Sequence, residues 1–271
     1  MFKSIAFGGG GARGGLMVGG LAAYEKLVGP LVFPNGVYGC SIGSILATAV
    51  AFQLNATQIK TIFEEHFDLD NILPPVRLTN VVESINTKGL FSMEMLEQTL
   101  VKAFERQGIS LRGKMIADTP QKLYIVASNM TTQKSTLLTG QVPILDAIKC
   151  SCCLPFVFRP QVLFHQVYLD GGVFLDNIET VTPKDTLVFH IGPMLETMFE
   201  KDLDTMPIST YAYKIYRSMR KTHIGPNVVW LQNDTIGLLH DLKPEDKKLL
   251  FDSGYSDTFR FLTKRLTQKL E

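Results

Sequence analysis

The chain has 271 residues, 45% of them hydrophobic, enough for a sizeable core and most simply arranged as one domain over residues 1–271. Its formal net charge of +1 lacks the Lys/Arg excess of a protein that tracks phosphates, so nucleic acid is not an expected partner. No apolar run is long enough to cross a bilayer, and the opening MFKSIAFGGGG is too short and glycine-rich for a signal peptide, so the expected location is cytoplasmic.

In chain order, KSIAF reads as a short buried strand ending in the glycine run GGGGARGG, and LMVGGLAAYEKL has the apolar spacing of a helix packed on a sheet. NGVYGC is a second strand, and the almost wholly apolar SILATAVAFQL is a helix for the centre of the fold. Asn55 and Gln58 form a capping pair for TQIKTIFEEHF, Pro74 and Pro75 mark a loop, and Ser92 is placed to cap MEMLEQTLVKAFERQ, which Gly108 ends. LYIVASNM and STLLTG alternate like paired strands, ILDAIKCSCC is a helix stopped by Pro155, and QVLFHQVYLDGG is a strand running into a glycine turn. LVFHIG and NVVWLQ are two further buried strands with a helix between them. Strands alternating with helices from end to end predict an α/β fold, a three-layer αβα sandwich on a mostly parallel sheet.

Two later stretches are amphipathic. YAYKIYRSMRK, residues 211–221, is basic and aromatic, and the last helical pattern places Phe251, Tyr255, Phe259, Leu262 and Leu266 on one face. Both are expected to be solvated or packed on their own domain, with peripheral membrane contact as the alternative. Of the four cysteines, Cys150, Cys152 and Cys153 cluster in KCSCCLP and Cys40 stands alone. That spacing suits neither a disulfide framework nor a zinc site, and small buried thiols are expected.

Chemistry is concentrated in two loops. Gly39, Cys40, Ser41, Ile42 and Gly43 spell G-x-S-x-G, a serine on a sharp strand-to-helix turn. The first loop holds G-x-G-x-x-G as Gly9, Gly11 and Gly14, which alone would suit a dinucleotide. A dinucleotide fold also wants an acidic residue at the end of the second strand, about 20 residues on, and here that strand ends in the serine turn. Lys is absent from the position a phosphate-binding P-loop requires. Backbone N–H groups at a glycine-rich helix N-terminus serve an oxyanion equally well. In a parallel sheet both loops emerge at the carboxyl ends of neighbouring strands, which points to acyl transfer with Ser41 as nucleophile.

Taken together these motifs resemble the patatin-like phospholipases. Gly9, Gly10, Gly11, Ala12, Arg13 and Gly14 look like that family's oxyanion loop, Gly39 to Gly43 like its serine elbow, and Asp170, Gly171 and Gly172 like its D-G-[AG] motif, in the family's order. CSCCLPFVFRP before VYLDGGV, and KGLFSMEMLEQTL earlier, extend the resemblance over about residues 3–192. Gly8 stands where the family often has Asp or Ser, and NIET follows Asp176 where Asn-x-Pro is common. The resemblance implies a Ser41–Asp170 dyad, oxyanion donors from Gly9, Gly10, Gly11 and Ala12, a lipid substrate and no metal or cofactor.

A conventional triad would instead place a histidine after the acid, which His190 or His240 could satisfy. Neither lies in a glycine-marked turn, and His165 alternates within a strand, so all three are expected to be structural. Arg13 would orient the loop, tie it down or meet a lipid phosphate, and Cys40 should pack away from the substrate. The expected activity is hydrolysis of phospholipid or lysophospholipid esters. Transacylation, silent lipid binding and nucleotide binding are the alternatives.

Overall fold

The computed structural model describes residues 2–192, 199–200, 203–206, 211, 214–215 and 224–268. The stretch 211–221, most of the segment between the last two strands, and His223 thus lie largely outside the described residues.

Among the described residues ten strands and seven α-helices follow in chain order: β1 (Ser4–Phe7), α1 (Gly15–Leu27), β2 (Gly36–Cys40), α2 (Ile42–Ala51), α3 (Ala56–His66), α4 (Leu78–Thr87), β3 (Gly89–Phe91), α5 (Glu94–Glu105), β4 (Leu123–Asn129), β5 (Lys134–Leu138), α6 (Ile144–Cys152), β6 (Phe156–Phe158), β7 (Gln161–Leu163), β8 (Gln166–Leu169), β9 (Thr186–Ile191), β10 (Val228–Leu231) and α7 (Pro244–Thr267). The main sheet runs β10-β9-β1-β2-β4-β8-β7, with β5 also on β4. From β10 to β4 every pairing is parallel, and β5, β8 and β7 join antiparallel. β3 and β6 form a separate parallel ribbon.

The alternation of side chains along the strands sorts the core into two clusters. Ile5, Phe7, Val37, Ile125, Leu187 and Val229 point to the face covered by helices, where Leu16, Met17, Ile45, Val50, Ile148 and Leu250 meet them. Ala6, Tyr38, Val126, Val188 and Val228 point the other way, under Leu175, which lies between two short 3-10 turns (Gly171–Val173 and Ile178–Val181), and Ile178, which opens the second. Strands buried on both faces are apolar throughout, which is why KSIAF, NGVYGC and LVFHIG are so readable in sequence.

Four elements differ from expectation. QVLFHQVYL is not one strand but the hairpin β7–β8, turned at Phe164 (φ 50°) and His165 (φ 61°). Two left-handed residues make this type of turn, usually Asn-Gly, and Phe-His carries no such signal. His165 is therefore an exposed turn residue. Residues 78–87, for which no element is expected, form α4. The cap of α5 is Met93, not Ser92. Finally, α7 docks through Leu250, Gly254, Thr258 and Leu262, while Phe251, Tyr255 and Phe259 stack along its flank. Gly254 and Thr258 are small enough for α7 to close on α1: a Cβ at Gly254 would collide with the Leu16 carbonyl, and one at Gly19 with the Phe251 carbonyl. The Asn55–Gln58 capping box of α3 is as expected, with Gln58 N–H donating to Asn55 Oδ1 at 2.8 Å.

Candidate active site

β2 ends at Cys40, α2 begins at Ile42, and Ser41 between them has φ 55° and ψ −131°. A non-glycine residue held there stores about 1–3 kcal/mol and persists only when its surroundings over-determine it. Four hydrogen bonds do so. Ser41 N–H donates to Ser151 Oγ at 2.8 Å, and Ser151 Oγ donates onward to the Val126 carbonyl at 2.6 Å. The Ser41 carbonyl accepts from Ser44 N–H at 2.7 Å and from Ser44 Oγ at 2.6 Å. The elbow also needs close backbone approach, since a Cβ at Gly43 would collide with the Phe7 and Gly8 carbonyls and one at Gly39 with the Gly43 carbonyl. Ser44 and Ser151 have no sequence signature, because a hydroxyl that props a backbone group belongs to no motif.

Asp170 follows β8, which pairs with the far end of β4 beyond the stretch that β2 occupies, and this brings the aspartate to the elbow. Ser41 Oγ donates to Asp170 Oδ2 at 2.6 Å, and Gly172 N–H donates to Oδ1 at 2.8 Å. Asp170 N–H is held by the Cys153 carbonyl at 2.8 Å, and Ser128 Oγ donates to the Gly171 carbonyl at 3.1 Å. Burial lifts the carboxyl to about 6, and the hydrogen bonds from Ser41 and Gly172 pull against that rise. Cys40 is buried, its Sγ filling part of the space a Cβ on Gly171 would need, and the residue is among those that border the cavity. Burial holds the Cys40 and Cys152 thiols well above their ordinary range, which suits packing rather than nucleophilic roles.

The glycine loop caps the other side of Ser41. Gly8 N–H donates to the Phe189 carbonyl at 2.9 Å and so continues the β1–β9 ladder. Gly9 lies directly against Ser41, with room for a Cβ only at 3.4 Å from the serine Cβ. The amides of Gly9, Gly10 and Gly11 meet no acceptor among the described residues. Ala12, expected among the donors, instead gives its N–H to the Leu238 carbonyl at 2.9 Å, because residues 236–239 pass over the loop. Arg13 is buried and donates from Nη1 to the Gly192 carbonyl at 2.9 Å, which ties the loop to the chain leaving β9. Gly14 packs against Ile42 and leaves no room for a side chain.

These loops open into a cavity of about 570 Å³ whose wall is apolar, with Phe63, Phe67, Ile72, Leu96, Leu154 and Phe158 facing Ser41, Asp170 and the glycine loop. His190 also lines it, from β9, with its ring stacked on Trp230 at 5.1 Å between centroids. His240 sits 3.4 Å from Asp246. Among the described residues Ser41 Oγ bonds to Asp170 and to no histidine.

The model of a family described as patatin-like phospholipase matches residues 5–181. Among curated proteins, the chain is 26% identical over 219 residues to the uncharacterized protein R571 of Acanthamoeba polyphaga mimivirus, a match covering 78% of this chain and 65% of that protein. It is 25% identical over 182 residues to the probable lipid hydrolase 463L of Invertebrate iridescent virus 6, covering 64% of this chain and 60% of that protein. The chain thus spans slightly under two thirds of these relatives. Its fold is shared by VipD from Legionella pneumophila (TM-score 0.54, 14% identity, 97% of this chain and 67% of that one) and by the type III effector protein ExoU of Pseudomonas aeruginosa (TM-score 0.53, 15% identity, 97% and 53%). With a family model matching more than half of its length, the chain belongs to the patatin-like phospholipases.

Proposed function

We propose that the protein hydrolyses carboxylic ester bonds of phospholipids or lysophospholipids through an acyl-enzyme on Ser41. The observation that carries this is the 2.6 Å hydrogen bond from Ser41 Oγ to a buried carboxylate at the floor of an apolar cavity. As Oγ attacks the ester carbonyl carbon, its proton passes to Asp170 Oδ2, and the carbonyl oxygen becomes an oxyanion beside the amides of Gly9, Gly10 and Gly11. Collapse breaks the bond to the alcohol oxygen, which leaves with the proton from Asp170. Water then enters, gives a proton to the same carboxylate and attacks the acyl carbon. Ser41 departs, recovering its proton, and the fatty acid is released. Because the carboxylate already touches the nucleophile, no histidine is required. The cavity volume and its aliphatic and aromatic wall suit an acyl chain.

The residues past 181 belong to the same working unit in this proposal. β9 lies beside β1, Arg13 is bonded to Gly192, and Leu238 lies over the glycine loop.

The test is fatty-acid release across defined phospholipid and lysophospholipid classes, with the Ser41→Ala protein as control. Release by the parent and none by the variant is expected. Equal release by both, or transfer of the acyl group to an added alcohol with no free acid, would overturn the hydrolase assignment.

A further inference from the structure

α4 is amphipathic the wrong way round. Leu78, Val81, Val82 and Ile85 fall at i, i+3, i+4 and i+7, one stripe along the helix, and this stripe faces outward, Leu78 being 81% and Ile85 72% exposed. The residues it turns inward are polar: Asn80, Ser84 and Thr87 are half-buried, at i, i+4 and i+7. No residue of α4 is fully buried. A helix whose outer surroundings were water would place these two faces the other way about.

We propose that α4 is a membrane-docking helix whose stripe enters the acyl region of an anionic lipid surface. The proposal rests on the reading of the substrate as a lipid, and three observations choose this occupant. The stripe is continuous with the mouth of the cavity: Ile72 and Leu73, just before α4, line the cavity, and β3, just after it, pairs Gly89 with Phe156, which both lines the cavity and is 65% exposed. Arg159 beyond β6 reaches back to Glu83 of α4 at 3.3 Å, so helix and rim are joined. The charge is also right. Arg77 and Lys88 bracket the stripe, and Glu83, the one carboxylate on the helix, is neutralised by Arg159. Cationic ends around an aliphatic centre match anionic headgroups over hydrocarbon. Lastly, ten residues of helix extend only about 15 Å, a patch well short of the roughly 800 Å² per partner of a stable protein interface. Docked this way, the cavity mouth faces the membrane, and a lipid passes from bilayer to Ser41 without crossing water.

Flotation of the Ser41→Ala protein with vesicles of phosphatidylcholine and phosphatidylserine at 7:3 tests docking without any need for turnover. The Val82→Asp/Ile85→Asp protein, altered only at exposed positions, is compared with it for flotation and, with Ser41 intact, for turnover of a water-soluble short-chain ester. Expected are flotation of the parent, a loss of at least about tenfold in the variant, and unchanged turnover of the soluble ester. Val82→Trp should strengthen flotation. Equal flotation of the parent and the Asp variant, or none by the parent, overturns the proposal. So does a parent dimer that the Asp substitutions dissociate, which would make the stripe a contact between copies. Equal flotation on pure phosphatidylcholine would overturn the anionic preference. Absent ester turnover by a parent that floats would instead defeat the hydrolase assignment and leave docking supported.

Discussion

At Ser41 the decisive geometry is that both oxygens of one buried carboxylate are already occupied, one by the serine hydroxyl and the other by Gly172 N–H. In an Asp170→Asn protein the amide oxygen would keep Gly172 N–H and the amide nitrogen would donate to Ser41, reversing the bond on which the proposed activation of Ser41 depends. Activity should fall at least about a thousandfold with the protein still folded, as measured by ester turnover beside a thermal melt. The carboxyl is raised to about 6, so its base form is lost as pH falls through that value, and kcat/KM should drop along a single limb there. The same shift works against folding. A carboxyl raised above its usual 3.8 makes the ionised form costly in the native state, by up to about 3 kcal/mol at pH 8, and the cost vanishes as pH falls towards 4. Asp170→Asn should accordingly melt higher than the parent at pH 8 and level with it near pH 4. Cys40→Ala, which opens only a small void behind Gly171, should keep turnover within about tenfold. Ser41 and Asp170 were legible because glycines mark both turns. Ser44, Ser128 and Ser151 were not, since hydroxyls that hold backbone groups leave no spacing to detect.

Among the elements, the glycine loop is more constrained by what surrounds it than by its own sequence. A Cβ at Gly10 would strike the tip of the Ile191 side chain, a flexible group able to yield, so Gly10→Ala should fold. Its amide would nonetheless be displaced, and kcat should fall about 10² to 10³ with KM little changed, by steady-state kinetics. Gly19 is the opposite case. Its neighbour is the backbone of α7, which cannot yield locally, so Gly19→Ala should cost about 3 kcal/mol or more in denaturant unfolding. Elements whose periodicity matches burial were readable, β1, β2, α2 and β9 above all. The β7–β8 hairpin was hidden by a Phe-His turn. α7 packs on its own domain as expected and Leu262 of the expected row is buried, but the closest contact is made by Gly254 and Thr258, which win by size rather than by hydrophobicity.

Across the whole molecule, the proposed catalytic groups hang from adjacent parallel strands and one antiparallel addition, and helices α2, α3 and α5 contribute side chains to the cavity above them. The order β10-β9-β1-β2-β4 puts β1, the earliest of the described strands, in the middle of the sheet, bonded on one side to β9, the last but one of them. Arg13 meets Gly192 across a separation of 179 residues. During synthesis, then, β1 and the glycine loop must wait without their left-hand neighbour while most of the chain is made, exposing an apolar edge that invites chaperone binding. A nascent chain stalled with residue 181 outside the ribosome holds Ser41 and Asp170 yet should be protease-sensitive and inert. Protection and ester turnover should appear together, only after β9 and β10 have emerged. The proposed lipid hydrolase would in this way be kept from acting until its β9 and β10 have been made.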